Sequence, residues 1–386
     1  MNKYIPYAKH HITEADIAAV VNILKSDFIT QGPLIEHFET AIKDYCGANH
    51  AIAVCNATAA LHIACLALGL KEGDYLWTSP NTFVASANCG LHCGAKVDFV
   101  DIDPITYNIS VAALEKKLQQ AEKQGTLPKV LVVIHFAGQP ADMQKIKALA
   151  DKYHFRIIED AAHAIGSSYQ QQKTGSCRFS DLTIFSFHPA KIITTGEGGM
   201  ILTNQQELAE RLKLLRTHGI TRDAKIAADA GAWHYQQLAL GFNYRMTDIH
   251  AALGLSQFQS IDQFLQRRNE IVERYNEGLS NLSIILPKIV GEVKSAWHLY
   301  VIRLQTEALK SSRKQIFDQL REAQIGVQIH YIPVHTQPYY RHLGFKEGDF
   351  PEAEHYYQQA ISLPIYAALT ADEQDYVIDT LGKVVQ

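Results

Sequence analysis

Two side chains able to do chemistry lie where two apolar runs of the sequence end. One is Lys191, which follows the apolar run 182–187 and precedes a stretch rich in threonine and glycine. An amine placed where a strand runs into a tight turn can be held partly desolvated, as a Schiff-base lysine requires. On its own, Lys191 could equally be a surface lysine in a polar turn.

The second side chain is Asp160, at the end of the apolar, β-branched run 156–159. Such a run is typical of a buried parallel strand, and α/β sheets build their sites at the carboxyl ends of these strands. Pyridoxal phosphate (PLP) needs a carboxylate beside its pyridine nitrogen, because a protonated nitrogen lets the ring withdraw electrons. Asp160 alone could be a helix N-cap. Together with Lys191 one strand later, it makes a PLP enzyme the leading hypothesis.

A third candidate feature is the stretch 56–60, NATAA, between a short apolar strand and a predicted helix that runs to about residue 68. Its backbone N–H groups are exposed, its side chains are small, and the helix dipole favours an anion. These properties indicate a phosphate site. The stretch lacks a glycine pattern, however, and many ordinary strand–helix connections look the same.

The elements that must position these residues alternate along the first two thirds of the chain. Apolar runs predict seven strands, at 51–55, 75–78, 97–101, 130–135, 156–159, 182–187 and 199–204. Amphipathic segments between them predict helices on both faces of a mostly parallel sheet. The fold class expected is therefore α/β.

The pattern of predicted strands and helices changes toward the C-terminus. We expect residues 1–250 to form an N-terminal arm and a large domain, and residues 251–386 a connecting helix and a small α+β domain. The connecting helix is predicted at 247–278, and Phe83 is predicted to lie on a helix. Strands are predicted at 297–304 and 328–331. The polar, aromatic stretch 218–240 is long for a structureless loop, which suggests a place over the site or at a subunit contact.

Composition excludes several classes of function. The chain has 386 residues, of which 47% are hydrophobic, enough for a large core and a second domain. A net charge of −4 without a dense basic run argues against a nucleic-acid partner. Scattered cysteines, no signal peptide and no apolar run of ~20 residues predict a cytoplasmic protein without a membrane partner. Cys89 and Cys93 lack an evident second ligand pair, so we predict no metal site.

Four blocks of the sequence resemble one family. EDAAHAIG, SFHPAK, TTGEGG and GFNYRMTDIHAALG are similar to the DegT/DnrJ/EryC1/StrS sugar aminotransferases, and the resemblance extends from about residue 30 to residues 362–364. It implies a fold-type I PLP-dependent transferase with a large seven-stranded sheet domain and a smaller C-terminal α+β domain. In a dehydratase branch of this family a histidine replaces the lysine. Because Lys191 is present, the resemblance implies an aminotransferase, and His188 is expected to orient the turn.

The resemblance also implies which residues hold the cofactor, with Lys191 as the catalytic residue. The expected PLP-binding residues are Ala57, Thr58, Phe83, Asp160, His163, Ser186, Lys191 and Asn243. Asn243 is expected to reach the PLP phosphate of a neighbouring subunit, which implies a homodimer. Phe83 could instead be a core residue, His163 a packing residue beneath the cofactor, and Asn243 a plain residue before a helix.

The substrate site and the reaction are implied in the same way. The expected substrate-binding residues are Tyr7, Asp27, Phe28, Ile29, Thr30, Gln328, Ile329, His330 and Tyr331. Residues 27–32 could instead form a packing arm. FSFHPAKIITTGEGG, QIHYIPVHTQPYY and AISLP resemble a subgroup that moves an amino group from L-glutamate to C4 of a UDP-linked 4-keto-6-deoxy-N-acetylhexosamine. The alternatives are another nucleotide-linked ketosugar and a non-catalytic binding module.

Overall fold

The computed structural model describes residues 4–221, 231–305, 307 and 309–385. Its strands, in chain order, are β1 His50–Val54, β2 Tyr75–Thr78, β3 Lys96–Phe99, β4 Val130–Ile134, β5 Arg156–Asp160, β6 Ser168–Tyr169, β7 Gln172–Lys173, β8 Leu182–Ser186, β9 Gly199–Thr203, β10 Ile220–Thr221, β11 Gln236–Gln237, β12 Ile284–Ile285, β13 Val293–Lys294, β14 Tyr300–Leu304 and β15 Ala360–Leu363.

The α-helices described are α1 Glu14–Leu24, α2 Leu34–Cys46, α3 Ala57–Ala67, α4 Ala85–His92, α5 Val111–Gln124, α6 Met143–Tyr153, α7 Gln206–Arg216, α8 Asp248–Phe258, α9 Ile261–Gly278, α10 Arg313–Glu322, α11 Pro338–His342, α12 Pro351–Gln359 and α13 Ala371–Val384. None of these described helices combines the length and the apolarity needed to cross a lipid bilayer.

The main sheet has seven strands in the order β1-β9-β8-β5-β4-β2-β3. Strand β9 runs antiparallel to both of its neighbours, and the other adjacent pairs are parallel. All residues of β4 and β8 are buried, as expected for apolar strands covered on both faces. The predicted α/β class and the seven-stranded sheet are confirmed.

The C-terminal part of the chain has a separate core. Strands β12, β14 and β15 form a three-stranded antiparallel sheet. Residues of α9, α10 and α13 pack on it, together with Ile5 from the N-terminal segment. The boundary predicted near residue 250 is consistent with this core and stays a prediction.

Several predicted elements differ from those observed. The helix predicted at 247–278 is two helices, because the last turn of α8 closes with i→i+3 bonds at Gln259 and Ser260. Helix α4 begins at Ala85, so Phe83 precedes the helix. In the segment 328–331, Gln328 makes one bridge to Ser362 and no strand forms. The strand predicted from 297 begins at Tyr300.

The stretch 218–240 is more ordered at its ends than its composition suggested. Strands β10 and β11 pair antiparallel across it, Ile220 with Gln237 and Thr221 with Gln236. Residues 222–230 lie outside the described part of the chain. A small sheet of β6, β7 and β13 was not predicted, because each of its strands has only two residues.

Candidate active site

A cavity of about 490 Å³ opens at the carboxyl ends of β5 and β8. Ten residues predicted for the site line it, namely Tyr7, Ala57, Thr58, Phe83, Asp160, His163, Ser186, Lys191, His330 and Tyr331. Ser86, His188 and His298 also line the cavity. The cavity therefore brings together residues that are more than 300 positions apart in the sequence.

Asp160 is the last residue of β5 and is held by two hydrogen bonds. Its Oδ2 accepts from Ser86 Oγ at 2.6 Å, and its Oδ1 accepts from the Ala162 N–H at 3.1 Å. No helix begins within residues 161–167, so Asp160 is not an N-cap. Both carboxylate oxygens are thus oriented by hydrogen bonds, and the negative charge lies at the wall of the cavity.

Lys191 lies in the turn after β8, in the wall of the same cavity. Burial lowers the pKa of Lys191 to about 8, although the negative charge of Asp160 opposes this shift. The turn is tied by backbone bonds from Lys191 N–H to His188 C=O at 2.8 Å and from Thr195 N–H to Phe187 C=O at 3.0 Å. An amine with this pKa is uncharged in part near neutral pH, as a nucleophile or a base must be.

The predicted phosphate turn lies at the start of α3. Asn56 caps this helix, since its Oδ1 accepts from the Ala59 N–H at 2.8 Å. The first N–H groups of a helix have no intrahelical acceptor, and Ala57 and Thr58 line the cavity. Ser186 pairs with Gly199 across β8 and β9, and a Cβ on Gly199 would lie 2.7 Å from the Asn56 carbonyl carbon. A side chain at position 199 would therefore collide with this turn, and glycine lets the first residue of β9 pack against it.

The opposite wall of the cavity is built from uncharged rings. Tyr331 OH lies 3.1 Å from His163 Nε2, and His330 Nδ1 lies 2.8 Å from Ser362 Oγ. His298 packs on His163 with ring centroids 4.3 Å apart. Burial and the nearby Lys191 lower the pKa of His330 to about 3. Burial, His163 and Lys191 likewise hold the pKa of His298 well below its usual value.

Ser86 and His298 are among the cavity residues that were not predicted from the sequence as site residues. Ser86 is 74 positions from the aspartate that it contacts, and its helix carries no recognisable motif. His298 is placed by the buried Arg268, which donates to the carbonyls of Trp297 at 3.0 Å and His298 at 3.3 Å. Sequence offers no signal for either contact, because both join segments distant in the chain.

Seven predicted residues do not line this cavity. Asp27, Phe28, Ile29 and Thr30 lie along the start of α8, where the Ile29 carbonyl accepts from the Asp248 N–H and Thr30 bridges Thr247. Gln328 and Ile329 lie outside it as well, although they adjoin His330. Asn243 is exposed, and its backbone pairs with Thr217. Phe83 is 59% exposed at the cavity wall, so it is not a core residue.

The cysteines do not form a metal centre in the described residues. Across 4–221, 231–305 and 309–385, no group of three or more His, Cys, Asp or Glu side chains is arranged to hold a metal ion. All six cysteines are free thiols. The neighbouring Cys65 and His62 lower the pKa of the Cys93 thiol to about 6, although burial opposes this shift.

The donor set of the cavity fits PLP. A fixed carboxylate, a lysine with a lowered pKa and the open start of a helix are the three groups that the pyridine nitrogen, the aldehyde and the phosphate require. The Nδ1 atoms of His163 and His298 are also buried and lack a hydrogen-bond partner within the described part of the chain. Fold and cavity thus define a PLP-dependent transferase.

The comparisons with known proteins identify the family. The family model described as DegT/DnrJ/EryC1/StrS aminotransferase matches residues 10–382, and the chain belongs to this family. The chain is 37% identical to the spore coat polysaccharide biosynthesis protein SpsC of Bacillus subtilis over 100% of this chain and 98% of that protein. It is 38% identical to the UDP-4-amino-4,6-dideoxy-N-acetyl-β-L-altrosamine transaminase of Campylobacter jejuni over 99% and 98%.

Solved structures agree with this assignment. The sugar aminotransferase Spr1654 of Streptococcus pneumoniae in its PMP form matches with a TM-score of 0.91 and 31% identity over 99% of both chains. Helicobacter pylori PseC, an aminotransferase of pseudaminic acid biosynthesis, matches with a TM-score of 0.91 and 30% identity over 99% of both chains. The chain is therefore a PLP-dependent sugar aminotransferase, as its motifs indicated.

Proposed function

We propose that this enzyme moves an amino group from L-glutamate to C4 of a UDP-linked 4-keto-6-deoxy-N-acetylhexosamine. The product would be UDP-4-amino-4,6-dideoxy-N-acetyl-β-L-altrosamine, a precursor of pseudaminic acid. The observation that carries the chemistry is the placement of Lys191 and the Ser86-bonded Asp160 in one cavity. The choice of sugar is supported by the names of the Campylobacter relative and of PseC.

In this proposal the cofactor is held at the carboxyl ends of strands β5 and β8. Asp160 would hold the pyridine nitrogen, and the N–H groups at Ala57 and Thr58 would hold the phosphate together with Ser186. When bound, PLP withdraws electrons from the carbon whose proton is removed. Asp160 maintains that capacity, because its fixed negative charge keeps a proton on the adjacent nitrogen.

Lys191 moves the protons in the proposed reaction. Its Nζ removes the proton from the α-carbon of the amino donor, which requires the uncharged amine. It later delivers a proton to C4 of the sugar, which requires the ammonium form. The lowered pKa of about 8 suits both steps, since neither form of the amine is rare near neutral pH.

Substrate recognition is assigned to the ring-lined wall and to the cavity mouth. Tyr7, His330 and Tyr331 offer hydroxyl and imidazole groups that suit the hydroxyls of a sugar. Phe83, which belongs to the expected PLP-binding set, lies at the same wall with its ring 6.4 Å from that of Tyr331, where it could stack on the pyridine ring. Residues Asp27, Phe28, Ile29, Thr30, Gln328 and Ile329 are proposed to contact the nucleotide outside the described cavity.

A homodimer is part of the proposal, with Asn243 acting in the partner's site. Asn243 is exposed and does not line the cavity of its own chain. Large apolar side chains are also exposed near it in sequence, with Leu240 81% and Trp233 82% exposed. Large apolar side chains that are exposed to this extent occur at subunit interfaces, which supports the proposal.

The test begins with the half-reaction. The purified enzyme with PLP is mixed with L-glutamate, and the absorbance of bound PLP should give way to that of pyridoxamine phosphate. The PMP-loaded enzyme is then offered UDP-4-keto-6-deoxy-N-acetylhexosamines of both configurations at C5. Regeneration of PLP absorbance with the L-altrosamine precursor, together with a product mass that matches replacement of the keto oxygen by an amino group and a hydrogen, supports the proposal.

A second candidate keeps the chemistry and changes the sugar. The chain is 37% identical to SpsC, a spore coat polysaccharide biosynthesis protein, and 38% identical to the Campylobacter enzyme, so another nucleotide-linked ketosugar is the second candidate. A TDP-linked 4-ketohexose or a 3-ketosugar is therefore included in the same panel. Faster turnover with one of these would replace the proposed substrate, whereas an enzyme inert toward glutamate would contradict the choice of donor.

A further inference from the structure

Three cysteines lie together where helices α3 and α4 meet. Cys65 belongs to α3, Cys89 belongs to α4, and Cys93 is the residue that caps the C-terminal end of α4. The Cys65 thiol neighbours the thiols of both Cys89 and Cys93. Cys65 and Cys89 are buried, whereas Cys93 is half-buried. The cluster therefore has two inner thiols and one that solvent can reach, and none of the three lines the cavity.

Two histidines adjoin the thiol that solvent can reach. His62 and His92 both neighbour Cys93, and their ring centroids lie 5.6 Å apart. The His62 ring is held in place, because its Nδ1 lies 3.2 Å from Tyr244 OH and its centroid lies 4.8 Å from that of Phe242. His92 is exposed. Cys93 is therefore accompanied by one fixed imidazole and one that faces solvent.

These neighbours favour the thiolate form of Cys93. Cys65 and His62 lower the pKa of the Cys93 thiol to about 6, and the charge that His62 and His92 can carry adds to the effect. Burial opposes this shift, and so does the negative end of the helix dipole of α4. Cys89, Cys93 and burial hold the pKa of Cys65 well above its usual value. Near neutral pH a thiolate at Cys93 thus lies beside a protonated thiol at Cys65.

A thiolate that solvent can reach, next to a second thiol, is the arrangement of a peroxide-reactive cysteine and its resolving partner. We propose that Cys93 is a site of oxidation by hydroperoxides and that Cys65 resolves the oxidised product as a disulfide. Cys65 is assigned this role because it is the thiol that acts most strongly on Cys93. The Cys89 thiol instead donates to the Ser86 carbonyl of its own helix at 3.3 Å.

Two balanced steps lead to the disulfide. The Cys93 thiolate attacks one oxygen of the hydroperoxide, so an S–O bond forms, the O–O bond breaks, and the other oxygen leaves and takes a proton from solvent. The sulfur loses two electrons, which reduce the peroxide to water or an alcohol. The Cys65 sulfur then attacks the sulfenic sulfur, so an S–S bond forms, the S–O bond breaks, and the hydroxyl leaves as water with the Cys65 proton. The new bond would join α3, which begins at the predicted phosphate turn, to α4, which carries Ser86.

The first test measures the reactivity of Cys93 in the unsubstituted, PLP-loaded enzyme. Cys55 is the internal control, because it is also half-buried but burial raises its pKa. At pH 6 about half of Cys93 is thiolate, against about 0.1% or less of Cys55. A less basic thiolate is also a weaker nucleophile, so we expect iodoacetamide to modify Cys93 at least about tenfold faster than Cys55. Peptide mass spectrometry measures both rates, and equal rates would overturn the proposal.

A substitution tests the contribution of the fixed imidazole. His62→Asn removes the ring that favours the thiolate, and we expect the alkylation of Cys93 at pH 6 to slow at least about threefold. The rate at Cys55 in the same sample should stay within twofold of wild type, which separates this effect from a general loss of structure. An unchanged rate at Cys93 would contradict the activation of this thiol by His62.

The second test identifies the product of oxidation. The PLP-loaded enzyme treated with hydrogen peroxide should yield a Cys65–Cys93 peptide pair that is lighter by two hydrogens, and dithiothreitol should reverse the change. Cys65→Ser should abolish the pair and leave a sulfenic acid at Cys93 that dimedone traps. Cys89→Ser is the matched control from the same cluster and should leave the yield of the pair within twofold of wild type. A pair that includes Cys89, or a Cys93 that peroxide leaves unchanged, would overturn the proposal. Neither the sugar nor the amino donor is present, so failure of the proposed substrate leaves these results unaffected.

Discussion

The two walls of the cavity differ in how they are built. One wall, the sheet side, consists of residues 56–58, Asp160, Ser186 and Lys191, all at strand ends of the main sheet. The other, the loop side, consists of Tyr7, His298, His330 and Tyr331 from segments outside that sheet. The sheet side carries both a carboxylate and an amine. The loop side carries phenols and imidazoles.

The difference in charge has a structural cause. Lys191 faces the loop side, and its positive charge helps to keep His330 and His298 neutral. Arg268 lies behind His298 and adds to the same effect. Neutral rings can donate or accept hydrogen bonds without forming ion pairs with Asp160 or Lys191, the groups assigned to proton transfer. We infer that the reactive charges belong to the rigid sheet side and that recognition belongs to the loop side.

Replacement of Lys191 by alanine tests the sheet side most severely. We expect the half-reaction with L-glutamate to slow by at least ~10³-fold, because the group that moves the proton is removed. Single-turnover absorbance with pre-bound PLP measures the rate. Lys145→Ala is the control, because Lys145 is exposed and forms an ion pair with Asp142 outside the cavity. A Lys191→Ala rate within tenfold of wild type would remove the catalytic role from the sheet side.

Replacement of Asp160 by asparagine removes the charge and keeps the shape. We expect the half-reaction to slow on the order of 10²-fold, typical of losing one electrostatic contact that strengthens in the transition state. Ser86→Ala leaves the charge and removes only the 2.6 Å hydrogen bond, so a loss of about fivefold is expected. If Ser86→Ala were as damaging as Asp160→Asn, the position of the carboxylate would outweigh its charge.

The pH dependence of PLP capture by the apoprotein tests the state of Lys191. Only the uncharged amine attacks an aldehyde, so the capture rate should rise with pH and level off above the pKa of about 8. Between pH 7 and pH 9 the uncharged fraction increases about tenfold. Stopped-flow absorbance measures the rate. Because Asp160 raises the pKa of Lys191, Asp160→Asn should move the midpoint to lower pH, and an upward shift would contradict the pairing of the two residues.

The sheet side could be predicted from the sequence, whereas much of the loop side could not. The ends of runs 156–159 and 182–187 located Asp160 and Lys191, because strand direction and the parallel sheet follow from local patterns. His298 depends on carbonyl contacts with Arg268 and on the positive φ of 47° at Trp297, neither of which a pattern reveals. His330 and Tyr331 were found only through family resemblance, and the strand assigned to them does not form.

Substitution of His330 tests the comparison from the loop side. His330→Asn removes the imidazole that contacts Ser362 Oγ at 2.8 Å, and we expect KM for the nucleotide sugar to rise about tenfold with a smaller change in kcat. Because the pKa of His330 is about 3, this residue stays neutral at every assay pH. The shape of the pH profile should therefore remain that of the wild type.

Steady-state kinetics between pH 6 and pH 9 measures both quantities. His342→Asn is the control, since His342 ends α11 and does not line the cavity. A lost or displaced pH inflection in His330→Asn would mean that His330 titrates during turnover. The loop side would then share the movement of protons with Lys191, and the separation of reactive charge from recognition would not hold.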